Sequence, residues 1–157
     1  IMTIAWGDEK HPRKLASLWC PGFPGPTWVV HEIGTERPLL VSTSFRNIPE
    51  VSAPSTMSVA WKGDLLTLGQ SDGTVLLHDV RVKTQISAVT GGHRKRIVGL
   101  SWDATGNYLA SGDIDGYVHI WDHRTHKPLT HDPGKGRSKM RHKAPVKVWL
   151  VAMILLK

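Results

Sequence analysis

The chain has 157 residues, 40% of them apolar, which suffices for one domain with a real core, and its net charge of +7 favours an acidic partner without by itself indicating nucleic acid. A single cysteine, Cys20, excludes an internal disulfide and a cysteine-pair zinc site, so a reducing intracellular compartment is expected. The longest apolar run, 148–156, has nine residues, short of a bilayer span, and the start lacks a secretory pattern, so neither a membrane segment nor a leader is expected.

In chain order, strands are predicted at Thr3–Trp6, Trp28–Val30 and Pro38–Thr43. The proline- and glycine-rich CPGFPGP makes 20–27 a loop, because proline cannot donate to a strand ladder. Next, SVAWKGDLLTLGQSDGTVLLHDVRV (58–82) aligns with GLSWDATGNYLASGDIDGYVHIWDHRT (99–125). Trp61 and Trp102 are 41 residues apart, while Gly69 and Gly112, Gly73 and Gly116, and Asp79 and Asp122 are each 43 apart. Short strands recurring at that period are what a four-stranded propeller blade requires. In the second unit strands are predicted at 97–102, 108–111, 117–121 and 127–130, with Gly106-Asn107 and Asp115-Gly116 turning the hairpins, as Asp72-Gly73 does in the first.

The fold class is therefore all-β: a β-propeller fragment with two clear four-stranded blades, 55–90 and 91–130, and partial or degenerate blade material at both ends. Residues 1–54 form divergent blade material around the loop at 21–26, 131–144 a basic loop, and 145–157 the start of a truncated blade. The isoleucine start and the apolar finish suggest a fragment or an imperfect gene model.

Gly92-His93 opens the second unit and Trp121-Asp122 closes it 28 residues after the histidine, with an Asp-Gly turn between. That order resembles the WD repeat family, the WD40 propellers. Within it, HDVRV (78–82), where most blades have tryptophan before the aspartate, and TGGHRKRIVGLSWDATGNYLASG (90–112) resemble the Cdc20/Fizzy group of anaphase-promoting complex activators. The resemblance implies a non-enzymatic, cofactor-free protein of nucleus and cytoplasm. It would bind anaphase-promoting complex subunits, recruit destruction-box or KEN-type substrates, and stimulate ubiquitin transfer without covalent chemistry. Where the group commonly reads Ser-Gly-Gly-Asn-Asp-Asn, with asparagines receiving the KEN motif, this chain has Ser111, Gly112, Asp113, Ile114, Asp115 and Gly116. Degron contact is accordingly assigned to Asp113, Ile114 and Asp115. The departure leaves a generic WD40 interaction scaffold, unrelated to ubiquitin ligation, as the alternative. The group's ligase-docking box and its Ile-Arg tail have no counterpart here, so the chain is not expected to be a competent activator alone.

His93, Ser111 and Asp115 have the residue types of a hydrolase triad. In WD repeats these positions with Trp121 resemble an internal polar network, with Asp72 the surviving member in the first unit, where Leu68 matches Ser111 and His78 matches Trp121. A structural role is thus expected and catalysis is not. His119, His123, His126 and His131 are divided between strand and loops, with no cysteine or carboxylate pair to complete a metal site, and His119 faces away from Val118 and Ile120. Lys135, Arg137, Lys139, Arg141 and Lys143 make the basic loop, a second cationic run being Arg94-Lys95-Arg96. Without neighbouring aromatics these predict a solvated loop or an acidic protein surface rather than specific nucleic-acid binding, and PGKGRSK lacks phosphate-loop spacing. Trp6, Trp61, Trp102 and Trp149 each sit in an apolar strand opening and are expected in the core.

Overall fold

The computed structural model describes residues 3–18, 28–41, 56–81, 85–89, 92–125, 127–129, 131–132, 137–138 and 140–141. Every regular element among them is a β-strand. The first sheet runs β1 (Thr3–Trp6), β2 (Lys14–Leu18), β3 (Trp28–Glu32) and β4 (Leu40–Val41). The second runs β5 (Thr56–Lys62), β6 (Leu65–Gln70), β7 (Val75–Asp79) and β8 (Gln85–Val89). Both are antiparallel meanders with sequential neighbours, the form of a propeller blade. The leading strands adjoin in turn: β5 touches β1 on one side and β9 (Ile97–Trp102) on the other.

The third sheet continues from β9 through β10 (Tyr108–Asp113) and β11 (Tyr117–Asp122), and its outer strand is interrupted. β12 (Lys127–Pro128) pairs with Trp121 and Asp122 at one end of β11. A small hairpin of β13 (His131–Asp132) and β14 (Arg137–Ser138) follows, and then β15 (Met140–Arg141) pairs with Tyr117 and Val118 at the other end. The stretch 131–144, expected as a basic loop, thus carries three short strands, one of them on the third sheet. The expected strand start at Pro145–Leu150 and the loop 20–27 lie outside the described residues, as do Cys20 and Trp149.

Alternation explains how the second sheet fills the space between its neighbours. Val59, Trp61, Leu66 and Leu68 face the first sheet and pack with Ala16, Leu18, Trp28 and Val30. Ala60, Val75 and Leu77 face the third and pack with Ile97, Leu100, Leu109 and Trp121. Thr67, on the same face as Ala60, is fully buried and accepts a hydrogen bond from Trp102 Nε1 at 3.0 Å. A strand with both faces covered reads as a nearly continuous apolar run, as LLTLGQ does. The sequence signalled no strand at Lys14–Leu18. KLASL has no aromatic or β-branched residue, yet it pairs on both sides and buries Ala16, Ser17 and Leu18 completely or nearly so.

Trp61 meets the expectation of burial and Trp102 is half-buried, but Trp6 is 57% exposed. The cause is the period-2 alternation of β1. Ala5 packs on the core, so Ile4 and Trp6 point to the opposite side, where no described sheet stands.

The second and third sheets interlock at Gly73, whose φ of 93° is the left-handed turn geometry glycine favours. A Cβ there would lie 2.6 Å from the backbone oxygen of His93. Gly73→Ala is expected to cost about 1–3 kcal/mol from strained φ and the backbone clash. Thermal unfolding followed by circular dichroism checks this, and a melting temperature unchanged from the parent would show that the two sheets do not meet there.

Candidate functional site

The most ordered polar assembly lies at one end of the third sheet, where β10 turns into β11. Asp113, the last residue of β10, places Oδ2 2.9 Å from His93 Nδ1, while its Oδ1 accepts the backbone N–H groups of Asp115 at 3.0 Å and Tyr117 at 2.9 Å. Ser111 Oγ lies 2.7 Å from His93 Nε2 and accepts Trp121 Nε1–H at 2.7 Å. The direction of these bonds follows from the ends. Indole can only donate, so the serine proton goes to Nε2 and the imidazole proton sits on Nδ1, facing the carboxylate. Gly92 is required beside it, since a Cβ there would meet the Trp121 ring at 2.4 Å.

Three of the expected members, His93, Ser111 and Trp121, are therefore brought together, but the aspartate is Asp113 rather than Asp115. The last residue of the strand points inward toward His93, whereas Asp115 sits at the exposed tip of the turn. Asp72 occupies the matching tip in the second sheet. It is exposed and accepts the backbone N–H of Thr74 at 2.9 Å, so it belongs to no buried network. Ser111 is completely buried with its hydroxyl committed to two partners, a clamp rather than a nucleophile.

In the second sheet the same positions hold Leu68, Gln70 and His78, all buried. His78 packs edge-on against Trp28 of the first sheet, ring centroids 5.0 Å apart, and its Nε2 is buried without a hydrogen-bond partner. Burial pushes its pKa below the ordinary histidine value, Asp79 opposing in part.

Of the residues assigned to degron contact, Asp113 is corrected: it is 2% exposed and its carboxylate serves three internal donors, leaving none for a peptide. Ile114 is half-buried and Asp115 exposed, at the tip of a turn fixed by Gly116 N–H to the Asp113 carbonyl at 3.2 Å and Ile114 N–H to the Arg96 carbonyl at 3.1 Å. The adjoining Arg94, Lys95 and Arg96 are exposed. Of the basic stretch, Arg137 and Arg141 lie on β14 and β15, while Lys135, Lys139 and Lys143 lie outside the described residues.

An assembly that the sequence did not signal occupies the opposite end of the sheets. Asp64, in the β5–β6 turn, receives Lys10 Nζ and lies 2.8 Å from His11 Nε2, both from the β1–β2 connection, and 3.5 Å from Arg81. The hydrogen bonds from Lys10 and then His11 hold its carboxyl below the ordinary value. Arg81 also grips Asp79 through Nε at 2.9 Å, and that pairing holds the Asp79 carboxyl down at about 2. Asp8 Oδ2 accepts Gly63 N–H at 2.6 Å. Asp8, Lys10, Asp64, Asp79 and Arg81 line, with Lys62 and Trp102, an open cleft of about 840 Å³. Its residues are far apart in sequence, so only HDVR, carrying Asp79 and Arg81, hinted at it.

His119 is fully buried beside His93 and Trp121, ring centroids 4.5 and 5.5 Å away, whereas His123 meets Trp102 at 5.4 Å. His126 lies outside the described residues. Among the described residues no group of three or more His, Cys, Asp or Glu gathers to hold a metal ion, and no helix is long and apolar enough to cross a membrane.

Comparison with known proteins places this geometry. Residues 57–142, more than half of the chain, match the family model described as the anaphase-promoting complex subunit 4 WD40 domain. The chain is 44% identical over 68 residues to Arabidopsis thaliana "Cell division cycle 20.5, cofactor of APC complex", covering 43% of the chain and 15% of that protein. It is 37% identical over 90 residues to Saccharomyces cerevisiae "APC/C activator protein CDC20", covering 57% of the chain and 14% of that protein. The matched part thus spans only about a seventh of these relatives. Among solved structures, a chain of a mitotic checkpoint complex superposes with a TM-score of 0.68 at 24% identity, over 90% of this chain and 39% of that one. The Myceliophteria thermophila Cps50 (Swd1) β-propeller domain superposes at 0.51 with 30% identity, over 62% of this chain and 29% of that one. The fold is that of a partial WD40 β-propeller.

Ser111→Ala is expected to cost about 2–3 kcal/mol, because it strands the Trp121 N–H and His93 Nε2 in a dry interior. Asp115→Ala should cost under about 0.5 kcal/mol, as exposed substitutions do. Chemical denaturation of both variants checks the assignment of the aspartate, and equal losses would return the network to Asp115. For His78 the folded pKa lies below the unfolded one, so the unfolded state takes up the proton first as pH falls. Its contribution to stability is full at neutral pH and is lost as pH drops through about 6.5. Melting temperatures of the parent and His78→Phe between about pH 7.5 and 5.5 should show the steeper decline in the parent, and parallel curves would refute the buried-imidazole account.

Proposed function

Because the chain belongs to the anaphase-promoting complex subunit 4 WD40 domain family, we propose that it is a non-catalytic protein-binding module of that complex's pathway. In this reading it resembles the activator group: it receives destruction-type motifs of substrates and contributes to ubiquitin ligase activation, within nucleus and cytoplasm. The observation that carries the reading is the turn at 113–116. Hydrogen bonds to the Asp113 carboxylate and carbonyl fix its backbone, while Ile114 is half-buried and Asp115 exposed. A peptide binding such a turn loses little free energy to ordering the receptor. The relatives named as cofactors and activators of the complex support the same reading.

Ile114 and Gly116 stand where the activator group commonly has asparagines, which removes two amides from the KEN-receiving position and favours destruction-box ligands over KEN ligands. The second reading, a generic WD40 interaction scaffold, draws on the same departure. Fluorescence anisotropy of labelled destruction-box and KEN peptides with the full chain, its folding verified by cooperative melting, separates the two. Micromolar, sequence-dependent binding of the destruction-box peptide is expected. Ile114→Asn should raise KEN affinity by about tenfold, the worth of one added hydrogen bond. A cooperatively melting chain that binds neither peptide would leave the scaffold as the function.

A further inference from the structure

Strand registers repeat from sheet to sheet, so each sheet carries the same two cross-strand rows of side chains, one on either face. The bulky row is Trp6, Leu15 and His31 in the first sheet. It is Trp61, Leu66 and His78 in the second, and Trp102, Leu109 and Trp121 in the third. One residue away on each strand, and so on the opposite face, lies a row of smaller residues. That row is Ala5, Ala16 and Val30 in the first sheet, Ala60, Thr67 and Leu77 in the second, and Ser101, Ala110 and Ile120 in the third.

Both junctions between the sheets are made by seating a bulky row on a small one. Trp61 and Leu66 pack on Ala5, Ala16 and Val30. Trp102, Leu109 and Trp121 pack on Ala60 and Leu77, and Trp102 Nε1 donates to Thr67 Oγ1. Small side chains leave the depth that an indole fills, which is why the two rows fit each other. Covered in this way Trp61 is 7% exposed, whereas Trp6, at the same position on a face that no described sheet covers, is 57% exposed. Ile4 beside it is also exposed. The stack therefore ends in the two halves of one junction: a bulky row on the first sheet, and on the third a small row of half-buried residues.

That repetition selects the occupant of the Trp6 face, because the small row it needs is carried by this chain itself. The two faces differ, so the contact is heterologous, and such contacts close into a ring when the rotation between units allows. Two copies with three blade-like sheets each would place six sheets in the ring, within the roughly four to eight of propellers. We propose that two copies of the chain join head to tail, the Trp6 face of each seated on the Ala110 face of its partner.

Sedimentation velocity of the full chain between about 1 and 100 µM should show monomer giving way to dimer. Trp6→Lys and Ala110→Lys, each first matched to the parent by melting, should weaken association at least about a hundredfold, because either change breaks both junctions of the pair. Mixed in equal amounts, the two variants should regain at least about tenfold, since one still carries an unaltered Trp6 face and the other an unaltered Ala110 face. A cooperatively melting parent that stays monomeric at about 100 µM would overturn the proposal. A dimer that Trp6→Lys leaves intact would remove the first-sheet face from it. A mixture no tighter than either variant alone would overturn the head-to-tail arrangement, and growth past the dimer would overturn the closed pair.

Discussion

The carboxylate of Asp113 organises the third sheet. It accepts a ring N–H from His93 and two backbone N–H groups from its own turn, and through His93 it reaches Ser111 and Trp121. Four residues from three segments are thereby tied at one buried point, and each donor finds an acceptor. In a dry interior such a network has little tolerance, because any member left alone bears the full desolvation penalty. The approach to β9, the β10–β11 turn and the ring over Gly92 all follow from its geometry.

The second sheet shows what the same meander does without that network. Leu68, Gln70 and His78 replace serine, aspartate and tryptophan, and cohesion comes from apolar contact on both faces. The charged assembly at the other end compensates: Asp64, Lys10, His11 and Arg81 join the β1–β2 connection to the β5–β6 turn. One end of the molecule is held by buried hydrogen bonds and the other by half-exposed ion pairs. The latter are screened by solvent and contribute less per contact. The buried end also carries the β10–β11 turn and the exposed Arg94–Lys95–Arg96 segment.

Insertion of a hairpin into the outer strand of the third sheet connects fold to surface. A continuous fourth strand would run along β11. Splitting it into β12 and β15 keeps both ends of β11 paired, with β13 and β14 paired to each other between them.

The strands of the repeats were legible in the sequence because their signals are local: Asp-Gly turns, alternating apolar residues and a fixed period place β9, β10 and β11 within a residue or two. Histidine, serine and tryptophan were assigned to one network by the resemblance of their positions to those of WD repeats. The choice between Asp113 and Asp115 was not legible, since both flank the same turn and only the inward direction of the last strand residue decides it. Lys14–Leu18 was missed because its strand character comes from two partners rather than from its own side chains. Trp6 was placed in the core by its apolar neighbours, but burial depends on which sheet stands opposite. The cluster around Asp64 joins residues more than fifty positions apart, beyond the reach of any local pattern. The sequence by itself determined the period, the turns and the all-β class, since these arise from short-range sterics and alternation. The tertiary structure alone decided which carboxylate is buried, which aromatics are covered and which charges meet, because those depend on neighbours distant in the chain.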